Sequence, residues 1–540
     1  MTTEVLVVGA GPVGLTLAID LGRRGVRCTL IEKKPAPEFL PKMERCNART
    51  MEIFRRMGLA EKVRAAGLDR DIPMDVYIAL AMNEPPLLRL PYPSVAEAQK
   101  QIAACDDGSM PREPYQLISQ YTLEPLLKSV AEGLPSVAVH YGHEFVSLSQ
   151  DADGATAHVR DPDGRMADIR AGYIVGCDGG SSPVRKQLGI QLRGEGNLLR
   201  LYQALYHAPD LFDRIPINGG PGKGRHYHIA DAQSTFLIMQ DSTRHWTLHA
   251  TVEAPDQMDK QFERAIGLAV PYRMLYVGEW KQNLLLADRY GAGRVFLAGD
   301  AVHLVIPTGG LGMNTGVGDA IDLSWKLDAV LRGWGGPNLL ASYEIERRQV
   351  GDRNLGASRY ASLGRRKWRS QHRPNIRDDT PDGQATRDNL ARVADVEQRK
   401  TNEMIGAELG YRYVGSPIIW DEPGGPEHLF REYVPTTWPG ARLPHVWLNE
   451  GRSVHDIIGE GYTLLRLGGS TADASGIERA IRELHAPFEM LTIDEERPRD
   501  VYGYDLILLR PDLHVVWRGN TPPGDPAQLA AVATGHIERC

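Results

Sequence analysis

The chain opens on a short apolar run, Glu4-Val-Leu-Val-Val-Gly9, closed by glycine. A run of this length ending at a turn residue predicts a buried strand. A Gly-rich turn follows, then the apolar helical stretch 15–25 (LTLAIDLGRRG), then a second strand-like run at 27–33 (RCTLIEK). Strand, turn, helix and strand in that order make a βαβ unit. Residues 47–66 carry apolar positions at helical spacing and predict an amphipathic helix. From 70 to 115 prolines recur, so this stretch is expected to be an irregular excursion outside the core.

Between about 186 and 290 the pattern changes to alternation. The runs 200–208 (RLYQALYHA), 224–231 (GRHYHIAD), 234–241 (STFLIMQD) and 245–252 (HWTLHATV) are strand-like and separated by turn residues. They predict an antiparallel sheet inserted into the first domain. From 291 to 330 Gly-rich turns and a helical stretch return, as if that domain resumes. The tail alternates strand-like YTLLRL, helical GIERAIREL, strand-like FEMLTID, DLILLRPD and HVVWRG, and a last helix. That order predicts a separate small α/β unit. The expected division is 1–185 and 291–375 for the first domain, 186–290 for the insertion, 376–435 for a linker rich in Pro, Asp and Gly, and 436–540 for the tail.

At 540 residues the chain has room for three or four domain-sized units. Its 62 basic and 69 acidic residues leave a net charge of −7, which argues against a nucleic-acid partner. The nine Lys and Arg of 347–373, with RRKWR at 365–369, are therefore read as a solvated helix and linker. The chain has no uninterrupted apolar stretch long enough to span a membrane, and the N-terminus lacks the basic segment of a secretory signal. A cytoplasmic protein is expected. Cys28, Cys46, Cys105, Cys177 and Cys540 are odd in number, far apart and without a C-x-x-C pair. Reduced, mostly buried thiols are expected, with no disulfide framework and no metal site.

Three motifs carry chemistry. The first is Gly9-Ala-Gly11-Pro12-Val-Gly14, between strand and helix, with Glu32 and Lys33 ending the next strand. In that context it is a dinucleotide fingerprint. Gly9 permits the tight turn, Gly11 lets backbone approach a pyrophosphate, and Gly14 lets helix pack on strand. Glu32 suits ribose hydroxyls and would repel a 2′-phosphate, so the turn fits FAD or NAD rather than NADP. The second motif runs from Gly299-Asp300 through His303 and Pro307 to Gly310-Leu-Gly312-Met313-Asn314. Asp300 suits sugar-alcohol hydroxyls, and the Gly-rich loop suits an anionic ring edge. An NAD dehydrogenase needs no such second element, whereas FAD, with its ribityl chain and isoalloxazine, does. The third motif, after a strand, is Cys177-Asp178-Gly179-Gly-Ser-Ser-Pro-Val-Arg185.

Together the three motifs, in this order, resemble the group A flavoprotein aromatic hydroxylases, the single-component FAD monooxygenases, over roughly residues 1–350. The stretches YVPTTWPGARLPHVWL and LLRPDLHVVWRG resemble the C-terminal thioredoxin-like domain of the phenol hydroxylase and 3-(3-hydroxyphenyl)propionate hydroxylase branch. The resemblance implies an α/β fold: a Rossmann-like FAD-binding domain, an inserted antiparallel-sheet substrate domain and a thioredoxin-like tail. The tail lacks a redox cysteine pair, so a structural role and a homodimer contact are expected.

The resemblance also implies roles. Gly9, Gly11, Pro12, Gly14, Glu32 and Lys33 hold the ADP half of FAD, and Gln120 contacts the flavin side chain. Asp178, Gly179 and Arg185 belong to the motif linked to both FAD and pyridine nucleotide. Gly299 and Asp300 hold the ribityl chain, and Pro307 with Gly310, Gly312, Met313 and Asn314 borders the flavin ring. Where relatives often have Pro-Arg-Ala, this chain has Pro41-Lys42-Met43, so Lys42 and Arg45 share the positive charge. NADPH or NADH, which of the two being open, reduces FAD, O2 forms a C4a-hydroperoxide, and the distal oxygen goes to a small phenolic substrate.

Glu44, placed where phenol hydroxylase relatives carry an Asp, is the first candidate to handle the phenol proton. His226, Tyr227 and His228 are further candidates on the inserted sheet. Alternation gives His226 and His228 one face and Tyr227 the other. Tyr202, Tyr206 and Arg225 are lesser ones, and His303 is read as a structural histidine near the cofactor. One alternative is a hydroxylase of a polycyclic polyketide or antibiotic. Another, from a different class, is a flavin-binding interaction protein without hydroxylase activity. A flavin halogenase is disfavoured, because its W-x-W-x-I-P segment is absent.

Overall fold

The computed structural model describes residues 1–217 and 219–538; Cys540 lies outside the described residues. The opening strand Thr2–Val8 pairs in parallel with Cys28–Glu32 on one side and Met166–Gly176 on the other. Val137–Tyr141 and Val295–Leu297 extend this parallel sheet outward. Val5, Leu6, Val7, Leu30, Ile31, Ile174 and Val175 are buried on both faces, which is why these strands read as continuous apolar runs. The helix Pro12–Arg23 covers one face and packs against the helix Gly312–Leu331.

The second sheet has seven strands in the spatial order Arg273–Lys281, Arg200–His207, His245–Ala250, Phe236–Met239, His226–Ile229, Val76–Ala79, Leu88–Leu90. Here the expectation for 70–115 is corrected. Val76–Ala79 is wholly buried and pairs in parallel with His226–Ile229, so the sheet is built from two separate stretches of chain. The prolines punctuate the ends of short elements and do not prevent them. Residues 47–66 form two helices, Ala48–Arg56 and Ala60–Ala66, split at Gly58 with φ of +72°.

Residues 347–369 are helical, as expected, at the end of the helix Pro337–Arg369, but they are not wholly solvated: Arg347 is buried on it. Nor is 376–435 merely a linker, since it contains the helix Pro381–Glu397 and the short turn Ile405–Leu409. Among the described residues no helix is long and apolar enough to cross a membrane.

The tail sheet has the order Phe488–Ile493, Tyr462–Leu467, Leu506–Leu509, Val515–Gly519, a parallel pair followed by an antiparallel hairpin. Its Tyr462, Leu464 and Leu508 share a core with Trp325, Trp334 and Leu339 of the first domain. Charges are buried in the same interface. Arg510 donates to Glu346 at 2.6 Å, Asp322 at 2.7 Å and Asp512 at 2.8 Å, and Lys326 donates to Asp322 and Glu346 at 2.7 and 2.6 Å. Arg510, Lys326 and Glu346 have no exposed side-chain surface.

Removing one member of such a cluster strands the others without solvent. Arg510→Leu is expected to destabilise the protein by about 3–5 kcal/mol, read as a lowered urea midpoint. Arg160→Ala, in the exposed pair with Glu144, is expected to change stability by less than about 1 kcal/mol.

Candidate active site

A cavity of about 970 Å³ runs between the parallel sheet and the inserted sheet. Its first wall is the fingerprint turn. Gly9 sits at φ +106°, and a Cβ there would lie 2.5 Å from the Cys177 carbonyl oxygen. A Cβ on Gly14 would collide with the Gly9 carbonyl oxygen. Gly14 is thus the contact that lays the helix on the strand, and it does not line the cavity. A Cβ on Gly11 would meet nothing closer than Glu124 Oε1 at 4.0 Å, which leaves room for a ligand. The helix beginning at Pro12 has no side-chain cap, so its first N–H groups are free for an anion. Glu32 accepts from the Ala10 and Lys34 N–H groups at 2.9 and 3.0 Å. Each oxygen keeps a lone pair for a ribose hydroxyl.

Asp178, Gly179 and Asp300 continue this wall. Asp178 Oδ2 accepts from the Val184 N–H at 3.1 Å, while its Oδ1 is buried without a partner. Burial raises both Asp178 and Asp300 above the usual carboxylate range. Arg185 is not among the lining residues. Its guanidinium donates to the Gly180 and Ala301 carbonyls at 3.1 and 2.9 Å and clamps the two Asp-bearing loops together. Gly299, at φ +65°, packs on Val13 behind the wall. His303 is fully buried and bonded to Asp319 at 2.8 Å, as a structural histidine.

Pro307, Gly310, Gly312, Met313 and Asn314 form the next edge. Asn314 braces this loop by donating to the Gly310 carbonyl at 2.6 Å and accepting from the Asn47 N–H at 2.9 Å. Arg45 donates to the Gly309 carbonyl at 2.9 Å and faces Glu408 at 3.4 Å. Its charge is therefore committed to the loop rather than shared with Lys42. Lys42, Lys33 and Gln120 line the cavity.

The far wall belongs to the inserted sheet. Glu44 is ion-paired with Arg225 and lies 3.2 Å from His226 Nε2. Burial alone would raise the Glu44 carboxyl, but Arg225, His226 and Arg45 outweigh it and hold the group well below the usual range. Held so low, the Glu44 carboxyl is ionised near neutral pH, and it lines the cavity as the partner of Arg225 and His226. Burial, aided by Arg225, lowers His226 to about 4, so the imidazole is neutral near pH 7.

Tyr227 and His228 are corrected. The Tyr227 hydroxyl donates to the Gly222 carbonyl at 2.9 Å, and its ring lies in the core behind the sheet with Trp246 and Leu248. His228 is fully buried against Trp368 and Arg369 and does not line the cavity. Tyr206 is stacked on Phe262 in that same core, and Tyr202 packs at its edge.

Several lining residues were missed. Phe236 and Ile238 are alternate residues of one strand, with Gln240 just past its end, and Thr247 and His249 are alternate residues of the next. The period of two that predicted these strands also marks this face. Arg365, also in the lining, was missed because it sits in a stretch read as solvent-facing; Glu408, which pairs with Arg45 without lining the cavity, sits in the stretch read as linker.

The residues present fit FAD: an open Gly11 approach, free acceptors at Glu32, and an unpartnered Asp178 oxygen beside Asp300. Comparison with known proteins agrees. Residues 2–358 match the FAD binding domain family, and residues 436–539 match the aromatic-ring hydroxylase C-terminal family. The chain is 32% identical to aklavinone 12-hydroxylase RdmE of Streptomyces purpurascens, covering 97% of each. It is 31% identical to FAD-dependent monooxygenase apdD of Emericella nidulans over 96% of this chain and 87% of that one. Among solved structures, RebC with bound 7-carboxy-K252c superposes at a TM-score of 0.90, with 31% identity, 99% of this chain and 100% of that one.

Two outcomes are expected. Glu32→Ala removes charged acceptors from the turn and should weaken FAD binding about ten- to hundredfold, read by the fluorescence of released flavin. In NMR titration, His226 should stay neutral from pH 7 to 5. Arg225→Met removes a charge that lowers His226 and should move its titration upward.

Proposed function

Because the chain belongs to the FAD-dependent aromatic-ring monooxygenases, which use NAD(P)H and O2, we propose that it hydroxylates a phenolic ring held between the inserted sheet and the 307–314 loop. Bound FAD supplies the redox chemistry, taking a hydride from NAD(P)H and activating O2. Gly9, Gly11, Glu32, Asp178 and Asp300 would hold its nucleotide and ribityl parts, and the 307–314 loop would border its ring.

The observation that carries the reading is the Arg225–Glu44–His226 cluster on the wall that faces this loop. A phenol is activated for attack by an electrophilic oxygen once it has given up its proton, which passes to solvent as the phenolate binds. Arg225, buried and part of the lining, can stabilise the phenolate that forms. Glu44 holds the guanidinium in place, and neutral His226 adds no charge that would compete. The walls around the cluster exclude water from the reacting ring.

A larger substrate than a single ring is favoured by the relatives. Two are named for aklavinone and for a putative polyketide hydroxylase activity, beside one named for 2,4-dichlorophenol. The inserted wall is also long, reaching from Leu201 and Gln203 to Trp280. The preferred substrate is therefore a phenol within a fused ring system.

The test is oxidation of NADPH and NADH by the FAD-loaded protein across single-ring and fused-ring phenols, with product mass measured. Stimulated oxidation and a product heavier by one oxygen are expected, best with fused rings. Arg225→Leu should lower kcat/KM about a hundredfold or more. Equal activity in that variant would remove Arg225 from the chemistry.

A further inference from the structure

Arg365 stands apart from the other cations of the site. It projects from the helix Pro337–Arg369 into the cavity, at the end walled by the inserted sheet. Arg225 has Glu44 and Arg45 has Glu408, but among the described residues no carboxylate lies within ion-pair distance of Arg365. Its Nε is buried without a hydrogen-bond partner.

The group is nonetheless held. Its guanidinium carbon lies 4.8 Å from the centre of the Phe236 ring, and Phe236 stacks on His249 at 4.4 Å with the rings 1° from parallel. The Phe236 ring thus contacts both the guanidinium and the His249 imidazole. The cation–π contact holds the guanidinium in place, and its N–H groups can meet a planar acceptor. Burial lowers Arg365 to about 10, so it remains a cation near neutral pH. Burial also keeps His249 and His226 neutral, at about 3 and 4. Arg225 and Arg365 thus share one nearby carboxylate, Glu44, which pairs directly with Arg225 and reaches Arg365 only at longer range, so the half-buried Arg365 gains a direct partner when an anion joins it.

We propose that Arg365 is a carboxylate subsite, and that the substrate is a phenolic aromatic acid whose carboxylate docks on Arg365 while the ring to be hydroxylated lies at the flavin loop. This rests on the ring-hydroxylase reading and deepens it by naming a second functional group on the substrate.

The test is a binding titration that does not depend on turnover. FAD-loaded protein is titrated with a hydroxynaphthoic acid and with its carboxamide, and the change in flavin absorbance is followed. The acid should bind about ten- to hundredfold more tightly than the amide. Arg365→Gln, checked for retained FAD, should bind the two alike. Arg365→Lys should keep part of the preference. Equal affinity for acid and amide in the unaltered protein would overturn the proposal, as would an acid preference that survives Arg365→Gln. So would a variant effect confined to the KM for NADPH, which would assign the charge to the reductant's phosphates. Product is assayed beside the titration. An intact acid preference without oxygenated product would count against ring hydroxylation and leave the subsite standing.

Discussion

The architecture turns on one close approach. The helix Pro12–Arg23, the opening strand and the Cys177-Asp178 loop meet where Gly9, Gly14 and Cys177 leave no space for a side chain. That crossing aims the helix N-terminus into the cavity and brings Asp178 beside the fingerprint turn. A larger residue at Gly14 would lift the helix off the sheet, and the nucleotide cradle would open. Everything downstream is referred to this point: Arg185 ties the Asp178 loop to the Asp300 loop, and Arg45 and Asn314 tie the 307–314 loop to the chain after Glu44.

Charge is distributed over the two halves of the cavity in different ways. On the nucleotide side the groups are acceptors, Glu32, Asp178 and Asp300, suited to hydroxyls. On the ring side they are cations, Arg225 and Arg365, among neutral histidines. The first arrangement suits a cofactor rich in sugar hydroxyls. The second favours a substrate that is acidic, or becomes so when it reacts. The tail stays outside this chemistry. Through Arg510 and Arg442 it reaches Glu346, Asp322 and Glu52 on the helices of the first domain, so it stiffens the frame that carries the site.

Much of this was legible in the sequence, where local pattern and local function coincide. The fingerprint turn, the Asp178 and Asp300 motifs and the flavin loop are contiguous, and their glycines are fixed by backbone geometry. What was hidden lay between distant segments. The strand Val76–Ala79 is defined by its parallel partner His226–Ile229, and nothing in its own proline-rich neighbourhood announces a sheet. Arg365 and Glu408 belong to stretches whose composition reads as solvent-facing, yet helix phase turns Arg365 inward and a short turn brings Glu408 to Arg45. Glu44 was legible as a site residue, but its ion pair was not. Its partner Arg225 lies 181 positions away in the chain.

The central claim is that this cavity delivers oxygen from O2 to a phenolic ring. The most direct measurement supplies isotopically heavy O2 and NADPH or NADH to the FAD-loaded protein with a fused-ring phenolic acid, and follows the label. One labelled oxygen atom is expected in the product for each NAD(P)H consumed. Label found only in hydrogen peroxide or water, with no ring product from any phenol in the panel, would contradict it.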